Sequence, residues 1–337
     1  MIGAHHSENR NRGRLLIALR WLAAAVVIGV LLRFLPLHLL AEAIRRVPVT
    51  TFLAVLLGYL FAHMVGIAKW HMVVNAAGAQ LDFRTSVQCY AGGLFGTLFL
   101  PSIIGGDVVR LAVGLRRSPN PAGVLAGNVA DRFIDVAAQA GLVLVGILLL
   151  PGALPVSLQG QARKALIYLG TAFVVLIFCG LFLYRPLLKG RSVRFRRRLA
   201  RLRHALRSVS GAPHVLLGAW LMGTAIQTTF LVLTAKLAET CGLVLPLRDW
   251  FFAWPLAKLA AVLPLTQGGI GVREAALVGL LSPFGAPAHL VLAAGLIWEG
   301  VVITGGLISG LAAFLFGRGK SDGSPGPGTP ASTSAKI

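Results

Sequence analysis

Hydrophobic residues along this chain form long, nearly unbroken runs instead of the single apolar stripe of a soluble helix. A membrane-spanning helix needs about 20 mostly apolar residues. Six stretches meet this requirement, at roughly 15–36, 49–70, 122–150, 163–184, 213–237 and 288–316. The pattern therefore predicts an all-α polytopic membrane protein with about six spanning helices.

Two further apolar regions, residues 85–116 and 249–284, are each broken near the middle. Both breaks carry the pattern L-P-x-x-x-G-G-x-x-V-R, in residues 100–110 and again in residues 263–273. Each break leaves two limbs of about half a membrane thickness. A break inside lipid leaves backbone groups unpaired, so it is tolerated only where protein or a polar cavity covers it. We predict two re-entrant helical hairpins whose tips mark the working site.

The two halves of the chain match each other in segment order. A shift of 163 residues maps 49–70 onto 213–237, one hairpin onto the other, and 122–150 onto 288–316. With the N-terminus in the cytoplasm, each matched pair has opposite orientation, which is an inverted-topology repeat as in many secondary transporters. The prediction is one flippase-like transmembrane domain at 1–316, with repeats at about 49–150 and 213–316, and a disordered cytoplasmic tail at 317–337, rich in Gly, Pro and Ser.

Composition supports the assignment as a membrane protein, and the distribution of basic residues predicts which side of the membrane each loop lies on. The chain is 56% hydrophobic and 13% charged, and its mean hydropathy of +0.78 excludes a water-soluble domain. The net charge is +21, yet ten of the 32 Lys and Arg residues lie between Arg185 and Arg207. We therefore expect a basic cytoplasmic loop at 185–212, an inner-membrane location with both termini in the cytoplasm, and no nucleic-acid partner. The same count assigns Lys69 and Arg84 to the cytoplasmic side.

Part of the basic loop has apolar residues at helical spacing between Phe195 and Leu206, with arginines on the other faces. This pattern is typical of an interfacial amphipathic helix. Such a helix would either gather anionic lipid near the protein or serve only for topology and anchoring.

The predicted hairpins carry the first candidate chemistry. Short helical limbs follow the tips, near Asp107–Leu115 and Gly271–Leu281, and their free backbone amides would attract anions. Arg110 and Arg273 lie in or near the first turn of these limbs, where they could contact a phosphate. The alternative is structural: Arg110 pairs with Asp107, and Glu274 neutralises Arg273. The cost of charge inside a membrane favours the functional interpretation.

Helix 122–150 carries polar residues spaced by three or four positions, so they share one helix face. Within this stripe Arg132 can pair with Asp135, whereas Asp131 and Asp135 repel each other, which would suit one of them for proton coupling. A buried ion-pair network that fixes helix packing is the alternative. Glu299 aligns within one residue of Asp135 under the same shift. The candidates for a polar path or coupling are Asn128, Asp131, Arg132, Asp135, Gln139 and Glu299.

Three motifs in order, Phe99 to Arg110, Ala130-Asp131-Arg132, and Pro264 to Glu274, resemble the lysylphosphatidylglycerol synthase transmembrane-region family. That family includes the flippase half of the multiple peptide resistance factor. The resemblance extends to about Phe316 and implies two re-entrant segments that meet in the membrane beside a lipid headgroup path. Two-domain members add a cytosolic aminoacyl-tRNA-dependent transferase that this chain lacks, so lysyl-lipid synthesis is not expected. The residues carried over are Pro101, Gly105, Gly106, Asp107, Arg110, Asp131, Arg132, Pro264, Gly268, Gly269, Gly271, Arg273 and Glu274.

The leading hypothesis is a lipid translocase that moves an anionic or phosphate-bearing headgroup, with membrane lipids as partners. No Walker A, H-E-x-x-H, C-x-x-C or G-x-S-x-G motif occurs, so we expect neither an enzyme nor a cofactor or metal site. A non-transporting scaffold or subunit of a cell-envelope lipid pathway is the first alternative. An intramembrane lipid transferase with Asp107 or Asp131 as base is the second. A homodimer is one oligomeric state that the sequence leaves open.

Overall fold

A computed structural model of the chain describes residues 37–100, 105–149, 193–261, 266 and 269–318. Over these residues the chain forms ten α-helices, one short 3-10 turn at Ser282–Phe284, and no strand. The helices are α1 Leu37–Arg45, α2 Val49–Ala76, α3 Phe83–Thr97, α4 Gly105–Arg117, α5 Pro121–Leu148, α6 Val193–Ser210, α7 Pro213–Thr240, α8 Leu247–Ala260, α9 Val272–Leu281 and α10 Ala288–Arg318.

Four of the predicted spans correspond to the long helices α2, α5, α7 and α10. The spans predicted at 15–36 and 163–184 lie outside the described residues. Among the described helices, α2, α7 and α10 are long and apolar enough to cross a membrane. Helix α5 is as long as α2, but every 18-residue window in it contains Asp131, Arg132 and Asp135. Its charge therefore has to be covered by the rest of the protein.

Local sequence explains where several of these helices begin. Proline at the first position starts α5 at Pro121 and α7 at Pro213, where its missing N–H is not needed. The Asp82 carboxylate accepts the backbone N–H of Thr85 at 3.2 Å and caps α3. These three helices therefore have defined starts, which fix the register of the polar residues they carry.

The helices of the two halves pack in matching pairs. Helix α2 lies along α7, while α3 packs against α10 and α8 packs against α5. Glycine permits both of the latter contacts. A Cβ atom on Gly146 of α5 would lie 2.6 Å from the backbone N of Phe252, and one on Gly310 of α10 would lie 2.4 Å from the Phe95 ring. The two halves thus share an interior that buries Asp131 of α5 and covers most of Asp135, while the Arg132 side chain is 38% exposed.

Helix α6 has the amphipathic character expected of the basic segment. Ala205 and Val209 are buried in a small cluster that also contains Ala77 and Ala126. The Ser208 hydroxyl donates to the carbonyl of Ala76 at 2.8 Å. The apolar face of α6 therefore lies over the end of α2 and beside α5, whereas Arg201 and Arg207 are exposed.

The last helix ends close to the predicted boundary of the transmembrane domain. Helix α10 continues through Gly317 to Arg318, two residues beyond the predicted end at 316. Residues 319–337, which make up most of the predicted tail, lie outside the described residues, as do residues 185–192 of the predicted basic loop.

Candidate functional site

Six charged side chains from α2, α4 and α5 form a network that we call the N-terminal charge cluster. Lys69 Nζ lies 3.0 Å from Asp131 Oδ1, and Arg110 Nη1 lies 3.6 Å from Asp131 Oδ2. Arg132 Nε lies 2.9 Å from Asp107 Oδ2. Three cations face three carboxylates, so the cluster is electrically balanced. Its members are Lys69, Asp107, Arg110, Asp131, Arg132 and Asp135.

This network contains the internal pairs that the sequence offered as the structural alternative. Arg110 and Asp107 approach to 3.7 Å, and Arg132 and Asp135 to 3.4 Å. Lys69 also forms an ion pair with Asp135. Its ammonium therefore bridges the two carboxylates and offsets the repulsion on which the proton-coupling hypothesis rested. Proton coupling stays a prediction.

Aromatic side chains close the cluster from one side. The Arg110 guanidinium lies 4.1 Å from the centre of the Tyr90 ring and 5.7 Å from that of Trp70. Trp70 Nε1 donates to Asn128 Oδ1 at 3.2 Å. Arg110 is only 4% exposed, and Asn128 and Gln139 are also buried. The polar stripe of α5 faces the interior as predicted, and Arg110 is enclosed there.

A smaller group, the C-terminal charge cluster, consists of Arg273, Glu274 and Glu299. Arg273 Nη2 lies 2.5 Å from Glu274 Oε1 and 2.6 Å from Glu299 Oε1. The second oxygen of Glu274 accepts the backbone N–H of Gly271 at 2.7 Å, which caps α9. The Arg273 guanidinium lies 5.6 Å from the centre of the Trp254 ring. Here too the predicted neutralising pair, Arg273 with Glu274, is present.

A central cavity of about 340 Å³ lies between the two halves and borders this second cluster. Arg273, Glu299 and Lys258 supply its charged groups. Aromatic and imidazole rings form much of the remaining wall, namely Tyr59, His63, Phe230, Trp254 and Trp298. The arrangement combines a mostly apolar surface with a few polar groups, as in sites that bind organic ligands.

The sequence model of the lysylphosphatidylglycerol synthase TM region matches residues 15–310, most of the chain. The chain belongs to this family. No curated protein and no solved structure matches the chain significantly. Family membership indicates a membrane protein with a lipid-related role. Both charge clusters and nearly all of the cavity wall lie inside the matched region.

The hairpin glycines that carry the family resemblance have structural reasons to be glycine. A Cβ atom on Gly106 would lie 2.5 Å from the carbonyl oxygen of Gly93, so α3 and α4 could not pack as closely. Gly269 and Gly271 have φ values of 82° and 83°, which other residues rarely adopt. Gly105 is buried against Leu100. That these glycines belong to the working site stays a prediction. Pro101, Pro264 and Gly268 of the same motif lie outside the described residues.

The predicted charged site residues lie in two groups, the N-terminal and the C-terminal charge cluster. Arg273 and Glu299 line the cavity, whereas Arg110 is enclosed among Asp107, Asp131 and Tyr90. The two arginines of the repeated motif therefore have different surroundings. Contact of either arginine with phosphate stays a prediction. A phosphate would have to bind beside, or replace, the carboxylates with which these arginines already pair.

Three charged or titratable residues of the interior were not among the predicted site residues. Lys69 is buried within α2 and pairs with Asp131 and Asp135, so it belongs to the interior charge network, and its assignment to the cytoplasmic side stays a prediction. His63 and Lys258 were not predicted for the site either, yet both line the cavity. The available signal was an ionisable residue within an apolar segment, which is costly unless it has a partner or a function.

Proposed function

We propose that this protein is a lipid translocase that moves the headgroup of an anionic or phosphate-bearing lipid across the cytoplasmic membrane. The observation that carries the proposal is the amphipathic central cavity. Charged groups of Arg273, Glu299 and Lys258 occupy one part of its wall, and apolar side chains occupy most of the rest. A lipid has this same division between a polar headgroup and apolar chains.

The outer edge of the cavity supports the choice of a lipid. Phe99, Ile303 and Leu307 line the cavity and are 53%, 41% and 51% exposed, respectively. We call these three residues the cavity mouth. Because α10 is one of the helices apolar enough to span a membrane, its exposed face would meet acyl chains. A lipid could then place its headgroup inside while its chains remain in the bilayer.

The inverted repeat is part of the proposal, because two structurally related halves give a transporter two alternating faces. Each half has the order long helix, broken helical pair, long helix. The limbs α3, α4, α8 and α9 have 15, 13, 14 and 10 residues. At 1.5 Å per residue each is about 15–22 Å long, too short to cross a hydrocarbon core of about 30 Å. Their lengths favour the re-entrant arrangement.

A proteoliposome assay tests the function. Vesicles carry a fluorescent phospholipid in both leaflets, and dithionite added outside destroys the outer-leaflet signal. We expect the wild-type protein to expose the inner-leaflet lipid to dithionite within the time of the assay. Thr97→Trp places a large ring at the cavity wall and should slow this exposure by at least about tenfold.

The matched control is Leu57→Trp, because Leu57 is 66% exposed on α2 and does not line the cavity. This variant should translocate lipid as fast as the wild type. Absence of translocation by the wild type for anionic, zwitterionic and polyprenyl-phosphate probes would contradict the proposed function. Equal rates for Thr97→Trp and the wild type would show that lipid does not pass through this cavity.

A further inference from the structure

Lys258 differs from the other interior cations in its surroundings. It lies on α8, where Nζ donates to the side-chain oxygen of Gln227 at 2.7 Å. The same ammonium lies 5.0 Å from the centre of the Phe230 ring. Its side chain is partly accessible and forms part of the cavity wall. Lys258 is thus held in place by an amide and a ring, neither of which cancels its charge.

The other interior cations each have a carboxylate partner. Lys69, Arg110 and Arg132 pair with aspartates of the N-terminal charge cluster, and Arg273 pairs with two glutamates. Among the described residues, no carboxylate lies within 4.0 Å of Lys258. An unpaired charge inside a membrane protein is costly, so it marks a site where a ligand supplies the opposite charge.

The neighbouring arginine is less available to a ligand than this lysine. Arg273 Nη2 already contacts both Glu274 and Glu299. A lysine ammonium has three N–H donors, and the contact with Gln227 uses one of them. Two donors are left for oxygen atoms that enter the cavity. Phosphate oxygens suit such a compact point charge.

We propose that Lys258 binds the phosphate group of the lipid headgroup, while the acyl chains leave through the cavity mouth at Phe99, Ile303 and Leu307. This inference rests on the proposed function, since it assumes that the occupant of the cavity is a lipid. It assigns phosphate recognition to a residue outside the repeated glycine–arginine motif. The repeated arginines then have mainly a positioning role.

Binding in detergent solution tests the role of Lys258 separately from transport. The probe is a single-chain lipid with a phosphate monoester headgroup and bromine atoms on its acyl chain, which quench the fluorescence of Trp254 and Trp298 when bound. Lys258→Gln should weaken the affinity for this probe about tenfold or more, the loss of one charge-assisted contact. Lys258→Arg should stay within a few-fold of the wild type, because it keeps the charge.

Three controls test whether a change in affinity reflects recognition of the phosphate group by Lys258. An uncharged glycerol monoester with the same brominated chain should bind the wild type and Lys258→Gln equally. Lys236→Gln removes an exposed lysine that pairs with Glu239 at 2.9 Å and should bind both probes as the wild type does. Inorganic phosphate should compete only weakly with the phosphate probe, because it has no chain to fill the cavity mouth.

Equal affinity of the wild type and Lys258→Gln for the phosphate probe would overturn the proposal. A parallel loss for the charged and uncharged probes would also overturn it, because recognition would not then depend on phosphate. Strong competition by inorganic phosphate would refute the lipid as the occupant. If probe binding depends on Lys258 but the wild type translocates no lipid, the binding site stands and the translocase proposal fails.

Discussion

In both halves of the molecule, the arginine that ends the repeated motif lies next to an aromatic ring. Arg110 lies beside Tyr90, and Arg273 lies beside Trp254. Their electrostatic surroundings differ. Three cations and three carboxylates balance each other in the N-terminal charge cluster, and none of the six lines the cavity. The C-terminal charge cluster has one arginine for two glutamates and borders the cavity together with Lys258. Related sequence positions thus belong to a balanced ion-pair network in one half and border a cavity in the other.

The largest expected effect comes from Lys69→Met in the N-terminal charge cluster. It leaves Asp131 and Asp135 buried without their shared ammonium. The free energy of unfolding should fall by about 3–5 kcal/mol, as for other broken buried pairs. Unfolding by SDS in mixed micelles, followed by helical circular dichroism, measures this change. Lys236→Met is the exposed control, and a loss no greater than that of the control would contradict a structural role for the cluster.

Glu299→Gln makes the corresponding change in the C-terminal charge cluster. Arg273 keeps Glu274 as a partner, and Glu299 borders the cavity. The free energy of unfolding should therefore fall less, by about 1.5–3 kcal/mol for one hydrogen bond to a charged group. The same unfolding measurement applies. A loss as large as that of Lys69→Met would contradict the expected difference in stability between the N-terminal charge cluster and the C-terminal charge cluster, which borders the cavity.

The turn before α9 gives a third test, because Gly271 orients the start of the helix that carries Arg273. Its φ of 83° penalises any other residue, so Gly271→Ala should lower the free energy of unfolding by about 1–2 kcal/mol. Gly279→Ala is the matched control in the same helix, where nothing lies within 4 Å of an added Cβ. That change should be neutral or stabilise by up to about 1 kcal/mol. Equal effects of the two would contradict the assigned backbone role.

The smallest effect should come from charges outside both clusters. Arg201 and Arg207 are exposed on α6. If this helix lies at an anionic leaflet, each arginine contributes on the order of 1 kcal/mol to its attraction for acidic lipid. The double change Arg201→Gln, Arg207→Gln should then lower the association of spin-labelled phosphatidylglycerol with the protein a few-fold, while stability stays near the wild-type value. No change in lipid association would favour anchoring alone.

Sequence periodicity predicted much of the helical framework because apolar runs and prolines mark it directly. The apolar stretch predicted at 49–70 is shorter than α2, because the polar side chains of Lys69, His71 and Asn75 interrupt the apolar run. In the structure the helix continues to Ala76. His71 contacts the Ser86 hydroxyl at 2.8 Å, and the Asn75 amide donates to the carbonyl of Leu81 at 2.9 Å. These partners are remote in sequence or depend on a turn, so the pattern of α2 alone could not show them.

The candidate site was less predictable than the framework. The polar stripe of α5 and the repeated motif were visible in the sequence. Whether Arg110 and Arg273 faced a ligand or internal carboxylates depended on which helices pack together. The same uncertainty concealed Lys258, because a lysine without a carboxylate partner is recognisable only when its neighbours are known. The spacing of residues along one helix predicts which of its side chains can pair with each other. Pairs between different helices can be identified only from the tertiary structure.

The most direct test of a headgroup site in the central cavity is to locate the headgroup of a translocated lipid. A phosphate-bearing lipid with a photoactivatable diazirine beside its headgroup would be incorporated into proteoliposomes, irradiated, and its attachment sites mapped by mass spectrometry. We expect labels near Lys258 on α8 and near Glu299 on α10, and the loss of these labels in Thr97→Trp. Labels confined to the N-terminal charge cluster, or spread only over exposed lipid-facing residues such as Leu57, would contradict a headgroup site in the central cavity.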